Sequence, residues 1–199
     1  MSRDSGEGVL LMDSLHVQNL LALPPAWSQY KGDRQSAVLC LIVRDLSDKK
    51  SLKLILTKRS TKVRSHRGQI GFPGGHREDE DNTPVDTALR EAHEEIGLPP
   101  EVVQVMGSLP AVTSLKGKAV IPIVGLAEID PRELIPCEME VGSIIHAPIH
   151  HFLQSEVTDL NFKMFGINRH SYIYRYESHS IWGLTARMIQ SAGFYLGSS

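Results

Sequence analysis

Cysteine is scarce: 199 residues contain only Cys40 and Cys137, too few for a disulfide framework and in keeping with a reduced, intracellular setting. No apolar run approaches the roughly 18 residues of a membrane span. A dominant charge is missing too. Against 23 Asp and Glu stand 21 Lys and Arg, a net charge of −2, which leaves no electrostatic case for nucleic acid or a membrane surface as a bulk partner. Internal repeats and low-complexity tracts are absent, which argues against solenoids, propellers and disordered arrays. The remainder is 41% hydrophobic and 22% charged, enough to bury a core without covalent staples.

Chemistry concentrates in residues 71–98, GFPGGHREDEDNTPVDTALREAHEEIGL. A Gly-Gly turn runs into an acidic loop and then into a helix carrying Arg90, Glu91, Glu94 and Glu95. At about 100° per residue the three glutamates share an arc of roughly 100°. Val85, Ala88, Leu89, Ala92 and Ile96 share a separate one, so one face packs and the other collects negative charge. Like charges so close destabilise a helix unless something positive sits among them. Four residues after Glu91, and after Glu94 and Glu95, stand Glu95, Leu98 and Pro99. None of these is a cation, and carboxylate oxygens suit a hard divalent ion, Mg2+ or Mn2+. On the glutamates alone, a solvated acidic helix is an equal reading.

With its flanks the segment resembles the Nudix hydrolase family, whose box runs G-x5-E-x7-R-E-U-x-E-E-x-G-U, U being aliphatic. Arg90-Glu91-Ala92-His93-Glu94-Glu95-Ile96-Gly97-Leu98 follows the second half. The first half departs: five residues separate Gly75 from Asp81, which stands where the family has Glu, and eight residues separate Asp81 from Arg90 instead of seven. That departure, with TALREAHEEIGL after it, is similar to the coenzyme A pyrophosphatase branch. So is the lead-in at 54–75, LILTKRSTKVRSHRGQIGFPGG, which resembles that branch's extra signature at Thr57, Arg59, Ser60, Arg64, His66, Gly68, Gln69, Ile70 and Phe72. Ile181-Trp182-Gly183-Leu184-Thr185-Ala186 adds a third likeness.

The resemblance implies metal ligation by Glu91, Glu94, Glu95 and a backbone carbonyl of the glycine turn, Gly74, with Arg90 orienting the glutamates. Arg90 also reads as an i, i+4 partner of Asp86 and Glu94. The family draws its general base either from the box, where Glu94 is a candidate, or from a later loop, where Glu140 occupies the matching place. Glu138 and Glu140 read equally as exposed loop charges. Lys58, Arg59, Arg64, His66, Arg67 and Gln69 would bind substrate, since guanidinium forks recognise the phosphates that coenzyme A carries. The implied activity is metal-dependent hydrolysis of coenzyme A, or an acyl derivative, to 3′,5′-ADP and 4′-phosphopantetheine. ADP-ribose, NADH, a nucleotide sugar or a dNTP remain alternative substrates, and a non-enzymatic nucleotide-binding domain is a third reading. The partner expected is a small molecule; the oligomeric state stays open.

Residues 1–25 carry Asp4, Glu7 and Asp13 among their apolar positions and read as a short amphipathic helix rather than a signal peptide. Cytoplasm is the expected compartment. Residues 1–35 form a helical lead segment and 36–199 the catalytic domain. Residues 36–45 read as a buried strand, 51–58 as its hairpin partner and 69–72 as a short strand. The charged helix should start at an N-cap Thr83 with Pro84 following, and end at Gly97. Strands are expected at 102–112, 118–128, 142–147, 159–165 and 170–177, with helices from Pro148 and about Leu184. That order suggests α+β; the resemblance makes it a Nudix fold, a mixed β-sheet between α-helices. His146, His150 and His151 suggest zinc only weakly, because Pro148 interrupts their helix. Tyr172, Tyr174 and Tyr176 alternate as a base-stacking strand would, and equally as an ordinary one.

Overall fold

The computed structural model describes residues 26–29, 35–48, 51–63, 67–114, 117–154, 157–164 and 167–196; the leading helix expected before residue 25 lies outside them. Strand β1 (Ser36–Asp45) is apolar on both sides. Ala37, Leu39, Leu41 and Val43 enter one core while Cys40 and Ile42 enter another, as suits a central strand covered on both faces. β2 (Leu52–Arg59) returns antiparallel, with Ile42 opposite Leu54 and Arg44 opposite Leu52. Beyond those rungs the two strands part.

The opening between them positions the site. β3 (Ile70–Gly71) pairs with the end of β2, and β4 (Gly74–His76) pairs with the start of β1. The link crosses the split, where Leu39 N–H donates to the Pro73 carbonyl at 2.8 Å. The glycine pair expected as a turn is thus a short strand. A Cβ on Gly74 would lie 2.5 Å from the Ala37 carbonyl oxygen and from Val38 Cα, so only a bare backbone approaches β1 this closely.

Helix α1 (Pro84–Ile96) follows, capped as its sequence predicts. Thr83 Oγ1 accepts the Asp86 N–H at 3.3 Å, the Asp86 carboxylate accepts the Thr83 N–H at 2.8 Å, and Gly97 closes the helix at φ 67°. Ala88, Ala92 and Ile96 are wholly buried against the first face of β1. β5 (Val103–Ser108), β6 (Val112–Thr113) and β7 (Ala119–Ile129) come next, β7 running parallel to β1 from Ser36–Val120 to Asp45–Ile129. β8 (Val141–Pro148) lines the far side of β2.

The opposite face is covered by α2 (Ile149–Gln154), by α3 (Gly183–Leu196), and by an antiparallel sheet of β9 (Thr158–Met164), β10 (Ile167–Tyr176) and β11 (His179–Trp182). Phe152, Tyr174, Ile181, Met188 and Ile189 form its core with Cys40 and Ile42. The fold is α+β, a mixed sheet between helices, as expected. Strands β4 and β11 were not anticipated, and the strand expected over 102–112 is broken into β5 and β6. Among the described residues no helix is long and apolar enough to cross a membrane.

Candidate active site

Arg90, on α1, is the hub of the polar face. Its Nε and Nη2 grip the Asp81 carboxylate at 3.2 and 3.0 Å, Nη2 also reaches the His76 carbonyl at 2.9 Å and Glu91 Oε1 at 3.2 Å, and Nη1 meets Glu94 Oε2 at 3.1 Å. Asp81 is buried and further accepts the Thr87 hydroxyl at 2.7 Å and the Glu78 N–H at 2.9 Å. Burial pushes its pKa up, but the bonds from Arg90, Glu78 and Thr87 outweigh that and hold the carboxyl below its ordinary range. The acid that departs from the box pattern therefore anchors Arg90, and this role was not read from the sequence. The shorter Asp combined with the longer spacing was the available signal. Asp86, considered as an Arg90 partner, caps the helix instead.

Glu95 is withdrawn from water, at 3% exposure. Its Oε2 accepts the Gly74 N–H at 3.2 Å, and Oε1 lies 3.7 Å from Arg59 Nη1. Burial drives its pKa up to about 7, the Gly74 bond and the Arg59 charge offset part of the rise, and the charges of Glu91 and Glu140 add to it. Glu91 is raised as well, chiefly by burial, with Arg90 opposing and Glu94 and Glu140 reinforcing. Its carboxylate lies flat against Gly75, where an added Cβ would overlap it. Glu94 differs: it is 54% exposed and turned to Arg90.

Glu140 joins this group through the backbone. Its carbonyl accepts the Ser60 N–H at 2.7 Å, and its loop is tied to α1 by the Cys137 N–H, which donates to the Glu95 carbonyl at 2.9 Å. Three acids from α1 and the loop before β8 thus feel one another beside the Gly74–Gly75 strand. Hard oxygen donors with excess negative charge in a partly buried setting fit a divalent cation in kind. As placed, no three His, Cys, Asp or Glu side chains among the described residues converge closely enough to hold one; Arg90 and Arg59 take the cationic positions.

Of the expected substrate residues, Lys58 is half-buried opposite Ser143 and Ile70, Gln69 offers its carbonyl to the Arg59 N–H at 2.9 Å, and Arg67 folds back to the Val63 carbonyl at 2.8 Å. Arg64 and His66 lie outside the described residues. Arg59 reaches the acids directly, farther in than a basic surface loop would place it. The tyrosines resolve toward packing: Tyr174 is buried with its hydroxyl donating to Gln190 Oε1 at 2.6 Å, and Tyr172 and Tyr176 pack on the same core. His151 Nε2 engages the Arg175 carbonyl at 2.6 Å, and no histidine cluster able to hold a metal occurs among the described residues.

Comparison with known proteins gives a family. The NUDIX domain model matches residues 33–129. An uncharacterized Nudix hydrolase, NudL, of Pectobacterium atrosepticum is 38% identical over 170 residues, covering 85% of this chain and 86% of that protein. Its namesake from an Enterobacter species is 36% identical over 189 residues, 94% of this chain and 96% of that one. Among solved structures, a Nudix hydrolase from M. smegmatis, RenU, is 22% identical, with a TM-score of 0.49 over 61% of this chain and 74% of that one.

Proposed function

Since the chain belongs to the Nudix hydrolase family, we propose that it hydrolyses the diphosphate of coenzyme A, or of an acyl-CoA, to 3′,5′-ADP and 4′-phosphopantetheine. The observation that carries this reading is the meeting of two segments. The basic lead-in delivers Arg59 to within 3.7 Å of Glu95 on the box helix, so phosphate-binding cations and metal-binding acids share one centre. Coenzyme A presents a diphosphate and a 3′-phosphate to such a centre, and guanidinium forks match both.

Glu91 and Glu95, with the Gly74 carbonyl and Glu94 after rotation from Arg90, would hold Mg2+ or Mn2+. Such an ion neutralises charge on the diphosphate oxygens and makes water a better nucleophile. The chain's own residues do the rest. Arg90, fixed from behind by Asp81, holds Glu91 and Glu94 in line. Arg59 faces the phosphate oxygens from the α1 side of the sheet, whereas Lys58, next along β2, falls on the face of Leu54 and Leu56 and is left out of this role. Glu140, tied to β2 and close enough for its charge to act on Glu91 and Glu95, takes the proton from the attacking water, a role typically supplying about 10² to 10⁴ in rate.

A hydrolysis panel of CoA, dephospho-CoA, ADP-ribose, NADH and dNTPs, with Mg2+ and with Mn2+, tests the reading. CoA should give the highest kcat/KM, with dephospho-CoA well below it. Equal cleavage of dephospho-CoA removes the 3′-phosphate role from the basic lead-in, and a clear lead for ADP-ribose replaces the substrate.

A further inference from the structure

Arg59 occupies an unusual position. The β2–β8 register slips beside it: Lys58 faces Ser143 but Arg59 faces Val141, which leaves Gly142 as an extra residue in β8. Bulges of this kind re-aim side chains and cluster near active sites. Here the slip coincides with Arg59 turning toward Glu95 and with Ser60 N–H tying down the Glu140 carbonyl.

The guanidinium so delivered is poorly satisfied. Its nearest carboxylate oxygen, at 3.7 Å, is beyond hydrogen-bond reach. Its Nε is buried and has no acceptor among the described residues, although buried donors in folded proteins nearly always have one. About a third of the side chain is open to solvent. Glu95, for its part, is buried and needs a positive neighbour. The pair is close enough to neutralise and too loose to be a permanent bond, while the unused donors of the fork match a phosphate's oxygens.

We propose that Arg59 stands in for the divalent cation at Glu95 in the metal-free protein and passes to the substrate diphosphate when that cation binds. This rests on the hydrolase reading above and deepens it. Arg59 then competes with the metal for one carboxylate, so that cation and diphosphate each strengthen the binding of the other.

The test is Mn2+ affinity of the full chain without substrate, read by the EPR signal of free Mn2+, for wild type, Arg59→Met and Arg59→Lys. Arg59→Met keeps the aliphatic stem and removes the competitor, so Mn2+ should bind at least about fivefold tighter, the lower edge of typical coupling between sites, while kcat/KM for the best diphosphate substrate falls by about 10². Arg59→Lys keeps the charge and loses the fork: Mn2+ affinity stays near wild type and KM rises. Mn2+ binding that weakens or stays unchanged in Arg59→Met overturns the handover and leaves the hydrolase reading standing. Should the Met variant not fold, an unchanged KM in Arg59→Lys overturns it instead. Absence of Mn2+ binding in wild type removes the metal reading itself, and the handover with it.

Discussion

At the scale of single residues, the site is a set of acids placed at a cost to the fold. Glu95 ionises only against the low-polarity surroundings that raise its pKa to about 7. A carboxyl whose folded-state pKa is raised contributes its full stability below the unfolded value, near 4.3, and loses it as pH climbs through the folded one. Metal-free protein should therefore lose stability between about pH 4.3 and pH 7 through this residue. Glu95→Gln removes that slope. In EDTA at pH 8 the variant should melt a few degrees higher than wild type, given that about 1 kcal/mol moves Tm by roughly 2–4 °C in chains of this size. Its turnover with metal should fall by about 10² or more. Thermal melts across pH with both proteins check this, and a parallel pH slope in Glu95→Gln would remove Glu95 as its source.

At the scale of elements, the site is made where β1 and β2 part and β4 fills the gap. Gly75 allows the Glu91 carboxylate to lie on the strand backbone. Gly75→Ala should leave the circular dichroism spectrum and the sheet intact while cutting kcat by at least about 10², because a displaced Glu91 no longer faces Glu95. Full activity in that variant would show that Glu91 works from another rotamer. The helix was legible in the sequence down to its caps, since Thr83, Pro84 and Gly97 act through local bonds that short-range chemistry dictates. The hairpin was legible from apolar runs. Strand β4 was not, because three residues with two glycines carry no period and pair only after β1 exists. The tie from Asp81 to Arg90 was hidden for a related reason: it depends on how a long acidic loop closes. Arg59 was legible as a cation, but its approach to Glu95 is a contact between β2 and α1 that no local pattern announces.

At the scale of the molecule, one sheet separates two cores, and only the α1 side carries the box acids. Cys40, on the other face of β1, is 3% exposed with its thiol pushed far up by burial, whereas Cys137 is exposed on the loop that ties Glu140 to α1. A thiol reagent should modify one cysteine in the native protein and two after denaturation, with peptide mapping placing the native label on Cys137. Rapid modification of Cys40 would mean that β1 is not shielded on both faces.

If the acids beside Gly74 cleave the diphosphate of coenzyme A, the products of the reaction reveal it. Wild type and Glu95→Gln are incubated with CoA and Mn2+, and the nucleotide products are separated. Wild type should release 3′,5′-ADP and 4′-phosphopantetheine in equal amounts, with Glu95→Gln slower by about 10² or more. CoA left intact by a wild-type enzyme that cleaves ADP-ribose, or release of 3′,5′-ADP by Glu95→Gln at the wild-type rate, would contradict it.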